Sequence, residues 1–253
     1  QGTTTTLKSI SYFDSTGSII FSKAYDFPVS PGNNPLEYSS DNILTGGTDY
    51  IWPNPLHTPY LSKLDTAGNL IWNKKYTGIS GKLSFIARLN DSEYLLGLEL
   101  VDGNGACVCK VDSSGKIIWS KSFMRPIGKF YSYTINQDII TMIGMVDTDG
   151  PGNNFSAIKF FFLQVDTSGA LITSKQLGDT IHSIFPSYIL DVATIKPTND
   201  NGFIITTATE TNTSSGSRLV LVKTDYAGNI EWVRSHGAAI SDEFGADIIQ
   251  TFN

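Results

Sequence analysis

An all-β chain folded as a single five-bladed β-propeller of four-stranded antiparallel blades, the first blade closed by the C-terminal strand, is what this sequence predicts, on three observations. A phrase built on Asp-x-x-Gly returns five times, alternating apolar runs flank each return, and the returns are about fifty residues apart, which is the size of a propeller blade. The Asp positions are 14, 65, 112, 166 and 225, giving intervals of 51, 47, 54 and 59 residues. No amphipathic helical window competes, a β-helix needs far shorter coils, and a sandwich would not repeat its turn sequence five times.

Each copy predicts a hairpin. In Leu64-Asp65-Thr66-Ala67-Gly68-Asn69-Leu70-Ile71-Trp72, as in the other four, one strand runs into the turn and another leaves it. Asp accepts hydrogen bonds from the turn's own N–H groups, and Gly takes the positive φ that ends a type I turn with a bulge. The hairpins span about 7–26, 60–77, 106–123, 158–177 and 218–236. Seven residues after each Asp comes Phe21, Trp72, Trp119, Thr173 or Trp232, and nine after it Lys23, Lys74, Lys121, Lys175 or Arg234. Period-2 alternation puts both columns on one face. The expectation is that the aromatics pack against the neighbouring unit and that each basic stem packs while its head reaches solvent or a carboxylate. A cofactor stack and a basic ring for an anion are the sharper alternatives.

Two further strands precede each later hairpin: Leu36–Ser39 and Asn42–Gly46, Ser84–Leu89 and Tyr94–Leu100, Phe130–Ile135 and Ile139–Met145, Leu190–Ile195 and Gly202–Thr209. The last segment, Phe244–Thr251, reads as the first strand of a further blade, and its addition to the first hairpin would close the ring and remove an open sheet edge. Only Gln1–Leu7 remains to supply that blade's second strand. The whole chain, 1–253, thus reads as one domain.

Composition narrows the function. The 253 residues carry 18 Lys+Arg against 24 Asp+Glu, a net charge of −6, with no basic run, which argues against a nucleic-acid partner. No apolar stretch approaches a membrane span. A chain of this length buries roughly three-quarters of its unfolded surface and needs no disulfide or metal staple, and its two Cys exclude a disulfide framework.

The phrase Val222-Lys223-Thr224-Asp225-Tyr226-Ala227-Gly228-Asn229-Ile230-Glu231-Trp232, then Ser235-His236-Gly237 and Ala246-Asp247-Ile248-Ile249-Gln250-Thr251, resembles the K-x-D-x-x-G-N-I-x-W repeat of secreted and surface bacterial β-propeller proteins, often called SBBP. The likeness recurs in all five units. It implies an exported, surface-assembled or lipid-anchored bacterial protein and brings no catalytic residues. Gln164 and Thr173 in the fourth copy depart from it, as does Asn199-Asp200-Asn201-Gly202-Phe203, a degraded form of the usual Asp-Gly-Gly-Tyr turn.

The long connections collect on one face: Pro28–Pro35, Asp49–Pro59, Asp147–Asn154, Gly178–Pro186, Thr211–Ser217 and His236–Glu243. Loops held by a rigid scaffold carry binding residues disproportionately. In the second of them Tyr50, Trp52, Asn54 and His57 suit stacking on a sugar ring with hydrogen bonds at its edge; a local plug made by Trp52 and the prolines is the other reading. Asp147, Asp149 and Asn153 resemble the start of a Ca²⁺ loop but lack the downstream bidentate Glu, so a plain acidic turn is expected. His57, His182 and His236 come from three units and predict surface histidines rather than a zinc site. Cys107 and Cys109 share one strand face, too close in sequence for an unstrained disulfide and without two further soft ligands, so buried free thiols are expected.

The function these features predict is non-catalytic: an exported binding or scaffold propeller, periplasmic or on the cell surface, that offers its long-loop face to a glycan, peptide or protein. It is expected to be a monomer without cofactor. The alternative is a glycoside hydrolase or lyase with carboxylates near the axis, drawn from Glu37, Asp191, Asp242 and Asp247. A quinone- or metal-cofactor propeller is a third, on the Trp column alone. The first residue, Gln1 rather than Met, predicts a leader removed by processing or design.

Overall fold

A computed structural model of the chain describes residues 8–27, 36–38, 41–50, 57–101, 105–123, 128–147, 158–177, 189–210, 217–237 and 247–251. Its regular elements are eighteen strands in five antiparallel sheets. The first sheet holds β1 (Lys8–Phe13) and β2 (Ile19–Tyr25). The second runs in order β3 (Leu36–Tyr38), β4 (Asn42–Tyr50), β5 (His57–Asp65) and β6 (Leu70–Lys75). The third holds β7 (Gly81–Asn90), β8 (Glu93–Leu100), β9 (Ala106–Asp112) and β10 (Ile117–Phe123). The fourth holds β11 (Lys129–Asn136), β12 (Ile139–Asp147), β13 (Ile158–Asp166) and β14 (Leu171–Gln176), and the fifth β15 (Ile189–Pro197), β16 (Phe203–Glu210), β17 (Ser217–Thr224) and β18 (Ile230–His236). Every four-stranded sheet follows chain order, and the predicted strand pairs lie where the alternation put them.

The chain divides into two compact units, residues 1–102 with 107–122, and 103–106 with 123–253. Within the first, Ile10, Phe21, Ile43, Tyr60 and Leu64 form one buried cluster, and Leu44, Leu61, Leu83, Ile86, Leu96, Leu98 and Val111 another. Each cluster draws on two consecutive sheets. Within the second unit Ile143, Phe160, Phe162, Ile195, Phe203, Val220 and Val222 do the same for the fourth and fifth sheets. Within each unit the apolar faces of consecutive sheets therefore cover one another, the arrangement a repeat needs because no blade buries its own face alone.

The five turns are alike in detail. Asp N–H donates to the carbonyl four residues on, Gly N–H donates to the Asp carbonyl at 2.8–3.1 Å, and the Gly φ lies between 74° and 83°. Register shifts at Tyr12/Phe13, Lys63/Leu64, Gln164/Val165 and Lys223/Thr224 are the bulges that accompany such turns.

The bounds of the long connections need correction. The loop read as Asp49–Pro59 is shorter, because β4 continues to Tyr50 and β5 resumes at His57, the two residues facing each other across the ladder. Pro59 sits opposite Thr48 inside β5; it withholds an N–H, but its carbonyl still accepts from Tyr76 N–H at 2.9 Å. Similarly Asp147, Ser217 and His236 belong to strands. Of the segment expected to complete the first blade, the described residues 247–251 are in no strand, and among the described residues the first sheet has two strands. Asp247 pairs with Lys196 of β15 at 3.3 Å, and Gln250 accepts from Asn199 N–H at 2.8 Å.

Candidate functional site

The turn end of the hairpins is occupied by its own hydrogen bonds. Asp65 Oδ1 accepts from the N–H groups of Ala67 and Asn69 at 3.0 and 2.7 Å, and Asp14, Asp112, Asp166 and Asp225 act alike. Bonds to the charged form hold Asp14, Asp65, Asp112 and Asp225 below the ordinary carboxylate range.

Both columns act as packing elements here. The Phe21 ring lies where a Cβ on Gly68 would be only 2.6 Å away, and Trp72 lies 2.9 Å from the same point on Gly115. Trp72 Nε1 also donates to Ser113 O at 3.3 Å. Lys23 Nζ donates to Ala67 O and Asn69 Oδ1 at 2.9 and 2.8 Å, and Lys175 Nζ donates to Asn229 Oδ1. The heads of Lys23 and Lys175 thus reach the next turn's amide oxygens, beside the carboxylates of Asp65 and Asp225 whose pKa they help to lower. At the fifth copy Trp232 stays partly exposed with Arg234 over its ring.

The fourth copy's departures compensate one another. With Thr173 in the column, Phe162 from β13 covers Gly228, 2.6 Å from where its Cβ would be. Gln164, at the usual Lys position, donates to Thr141 Oγ1 and Tyr226 O at 3.2 and 3.1 Å. Two of the lysines kept at that position meet acids of their own sheet: Lys110 binds Glu93, beside the turn between β7 and β8, at 2.9 Å, and Lys223 binds Asp200, in the turn between β15 and β16, and Glu231 of β18 at 2.9 and 3.0 Å. These pairs were missed in the sequence, as was a column of Tyr25 and Tyr76, whose hydroxyls donate to Gly68 O and Gly115 O.

The opposite end of the first unit is where the sequence placed a binding loop. Trp52 and Asn54 lie outside the described residues, between Tyr50 at the end of β4 and half-buried His57 at the start of β5. Burial lowers the His57 pKa, Lys82 adds to that, and Glu99 opposes it. Lys82 and Glu99 form an ion pair at 3.4 Å, and Asp49 Oδ2 takes Lys75 Nζ at 2.6 Å. Just beneath, Thr48 Oγ1 accepts Leu83 N–H at 3.0 Å, tying the second sheet to the third. The strand ends thus set an imidazole, two ion pairs and the base of an aromatic loop side by side. Local sequence could not have joined Lys82 and Glu99 to His57, since three strands supply them.

The remaining candidates are scattered. Asp147 closes β12, while Asp149 and Asn153 lie outside the described residues, as do Asp242 and His182. His236 is exposed at the end of β18. Glu37, on β3, is half-buried, and burial raises its pKa against the pull of Arg88. Asp191 lies in β15, and Asp247 is exposed beside Lys196. Among the described residues no group of three or more His, Cys, Asp or Glu can hold a metal ion, and no helix is long and apolar enough to cross a membrane. Cys107 and Cys109 are free and buried, their sulfurs 3.5 Å apart. Their mutual hydrogen bond, with those from Ser122 and Lys121 N–H, lowers the Cys107 pKa; with burial it raises that of Cys109. Lys8, which the sequence did not single out, reaches in from β1 to Thr45 Oγ1 and Gly46 O at 2.6 and 2.9 Å, and burial lowers its pKa to about 8.

No family model matches the chain, and no curated protein matches it. Among solved structures, the Dos1 propeller aligns with a TM-score of 0.54 at 13% identity, over 90% of this chain and 54% of its own. A mutant of Synechocystis apocarotenoid oxygenase aligns with a TM-score of 0.49 at 12% identity, over 89% of this chain and 55% of its own. The chain thus spans about half the length of these structures. At such identity the likeness to the Dos1 propeller concerns the fold alone, and that fold is a propeller's.

Proposed function

We propose that the chain is a non-catalytic binding or scaffold propeller, exported to the periplasm or cell surface, with the loop end of its blades as the binding face. In this reading the five sheets are the blades of one five-bladed propeller of the SBBP-like repeat class, and the C-terminal segment completes the first blade. The contacts of Asp247 and Gln250 with the β15 side of the fifth sheet support that placement.

One observation carries the functional reading. The polar groups of the turns are taken up by bonds inside the fold, whereas at the loop end His57, the Lys82–Glu99 and Asp49–Lys75 pairs and the flanks of the Trp52 loop stand together. A rigid sheet end with charged groups at the base of a loop whose sequence carries Trp52 suits a glycan or a protein partner. One observation favours the enzymatic alternative: a half-buried Glu37 that holds its proton more tightly than usual has the property of a general acid.

The test is the melting temperature of the chain across a panel of oligosaccharides and polysaccharides. A ligand bound only by the folded state raises it. A rise abolished by Trp52→Ala establishes a carbohydrate face; cleavage of the same sugar, lost in Glu37→Gln, replaces binding with hydrolysis. If no sugar shifts the melt, the glycan reading falls and a protein partner is left.

A further inference from the structure

The first unit contains a pair of soft ligands that the proposed binding face does not use. Cys107 and Cys109 stand two apart on β9, so alternation points both to one face of the third sheet, and their sulfurs are 3.5 Å apart. Both are almost fully buried, in a cluster with Tyr76, Leu96, Leu98 and Val111. We propose that this pair is a two-coordinate site for a soft monovalent cation, Cu(I) or its surrogate Ag(I).

The donor set selects the ion. Zinc needs four ligands of N, S or O, and calcium six to eight oxygens, but no third His, Cys, Asp or Glu joins the two sulfurs among the described residues. Thiolate sulfur prefers soft cations, Cu(I) foremost, and two donors suffice where an ion favours linear coordination; the sulfurs, 3.5 Å apart in the free pair, then part by about 1 Å, since a linear S–metal–S unit spans about two metal–sulfur bonds. Charge agrees with burial. When the cation binds, one S–H proton leaves for water, so cation, thiolate and the remaining thiol sum to zero, the charge state that an apolar core disfavours least. Metal and both sulfurs keep their oxidation states, so no electron donor or acceptor is required.

Two features make the site usable. Cys107 is the second residue of β9, at the loop end of the sheet, so fraying of the strand end admits an ion without opening the whole core. Oxidation competes poorly, because a bridge between residues two apart on an extended strand is strained.

The experiment is anaerobic titration of the folded chain with Ag(I), and with Cu(I) held by a competing chelator, read by native mass spectrometry and by X-ray absorption at the metal edge. One ion per chain with sulfur as the nearest scatterer is expected, and Cys107→Ser and Cys109→Ser should each weaken retention at least tenfold. Cys109→Val, which keeps the site apolar, separates ligand loss from misfolding: it should melt near the parent yet fail to retain metal. The proposal is overturned if the folded parent retains no ion, if either serine variant binds as tightly, or if a Cys107–Cys109 disulfide forms in place of the complex.

Discussion

At one end of the second sheet Asp65, Gly68 and Asn69 make a turn whose acceptors are filled by its own N–H groups and by Lys23 and Tyr25 of the preceding sheet. At the other end of that sheet Asp49 and His57 face ion pairs and the base of a loop, and their contacts cross to Lys75, Lys82 and Glu99. The two ends have similar polar content and use it differently. Hydrogen bonds to amide oxygens of the adjacent turn fix how one sheet lies on the next, whereas charge pairs near the surface contribute little to stability and remain available to a ligand. The difference teaches which columns of a repeat to read as framework: those whose partners recur with the repeat.

The largest effect that can test this lies at the turn glycines. Gly68 combines a φ of +74° with the Phe21 ring 2.6 Å from its absent Cβ, whereas Gly17 has a φ of +83° and nothing within 4 Å. Left-handed backbone costs a non-glycine residue about 1–2 kcal/mol, and overpacking adds about 1–3 kcal/mol. Gly68→Ala should therefore lose about 2–5 kcal/mol and Gly17→Ala only the backbone part, about 1–2 kcal/mol. Urea midpoints measure both. Equal losses would mean that the turns hold only themselves and do not lock one sheet onto the next.

Lys8 gives the next effect and carries its own pH signature. Its partners are neutral oxygens, and burial lowers its pKa from 10.5 to about 8. Between these values the unfolded chain holds the proton that the folded chain has released, so this group makes stability rise with pH from about 8 to 10.5; below 8 its full cost remains. Lys8→Met should remove that rise and stabilise the protein at pH 7 by on the order of 1–2 kcal/mol, after allowance for the water the side chain still meets. Melts of parent and variant from pH 6 to 10.5 compare the slopes. A parallel pair of curves would show that Lys8 keeps its ordinary proton affinity.

How much of this was legible follows from the range of each interaction. The turns were, because Asp and Gly set their geometry within five residues, and the columns were, because alternation repeats them in every unit. The partner of a column was legible only in part: Lys23 was expected to find solvent or a carboxylate, and the stacking of sheets brings it to Ala67 O and Asn69 Oδ1 beside the Asp65 carboxylate. Tyr25 and Tyr76 went unnoticed because the other three copies place Phe123, Leu177 and His236 there. The ends of β4 and β5 were cut short by Pro53, Pro55 and Pro59, since proline reads as a strand breaker although Pro59 keeps a bonded carbonyl inside β5. His57 beside Lys82 and Glu99, like Lys8 beside Thr45, joins strands whose approach no local pattern encodes. Of the four residues proposed to bind sugar, the described structure reaches only the two that frame the loop, Tyr50 and His57.

The smallest effect separates the two ends most directly, since it removes one lysine from each. Lys23→Met leaves Ala67 O and Asn69 Oδ1 without their donor, at a cost of about 0.5–1 kcal/mol. Lys75→Met breaks a shorter contact, 2.6 Å to Asp49, yet an ion pair with a half-exposed lysine is worth only about 0–0.5 kcal/mol. Added salt should close the gap between parent and Lys75→Met, because it screens charge pairs, and leave most of the Lys23→Met loss, whose acceptors are neutral. Distance alone ranks the two contacts the other way. A larger loss at Lys75 would therefore make the loop end a structural element like the turn end, and the binding face would have to be sought among the other long connections.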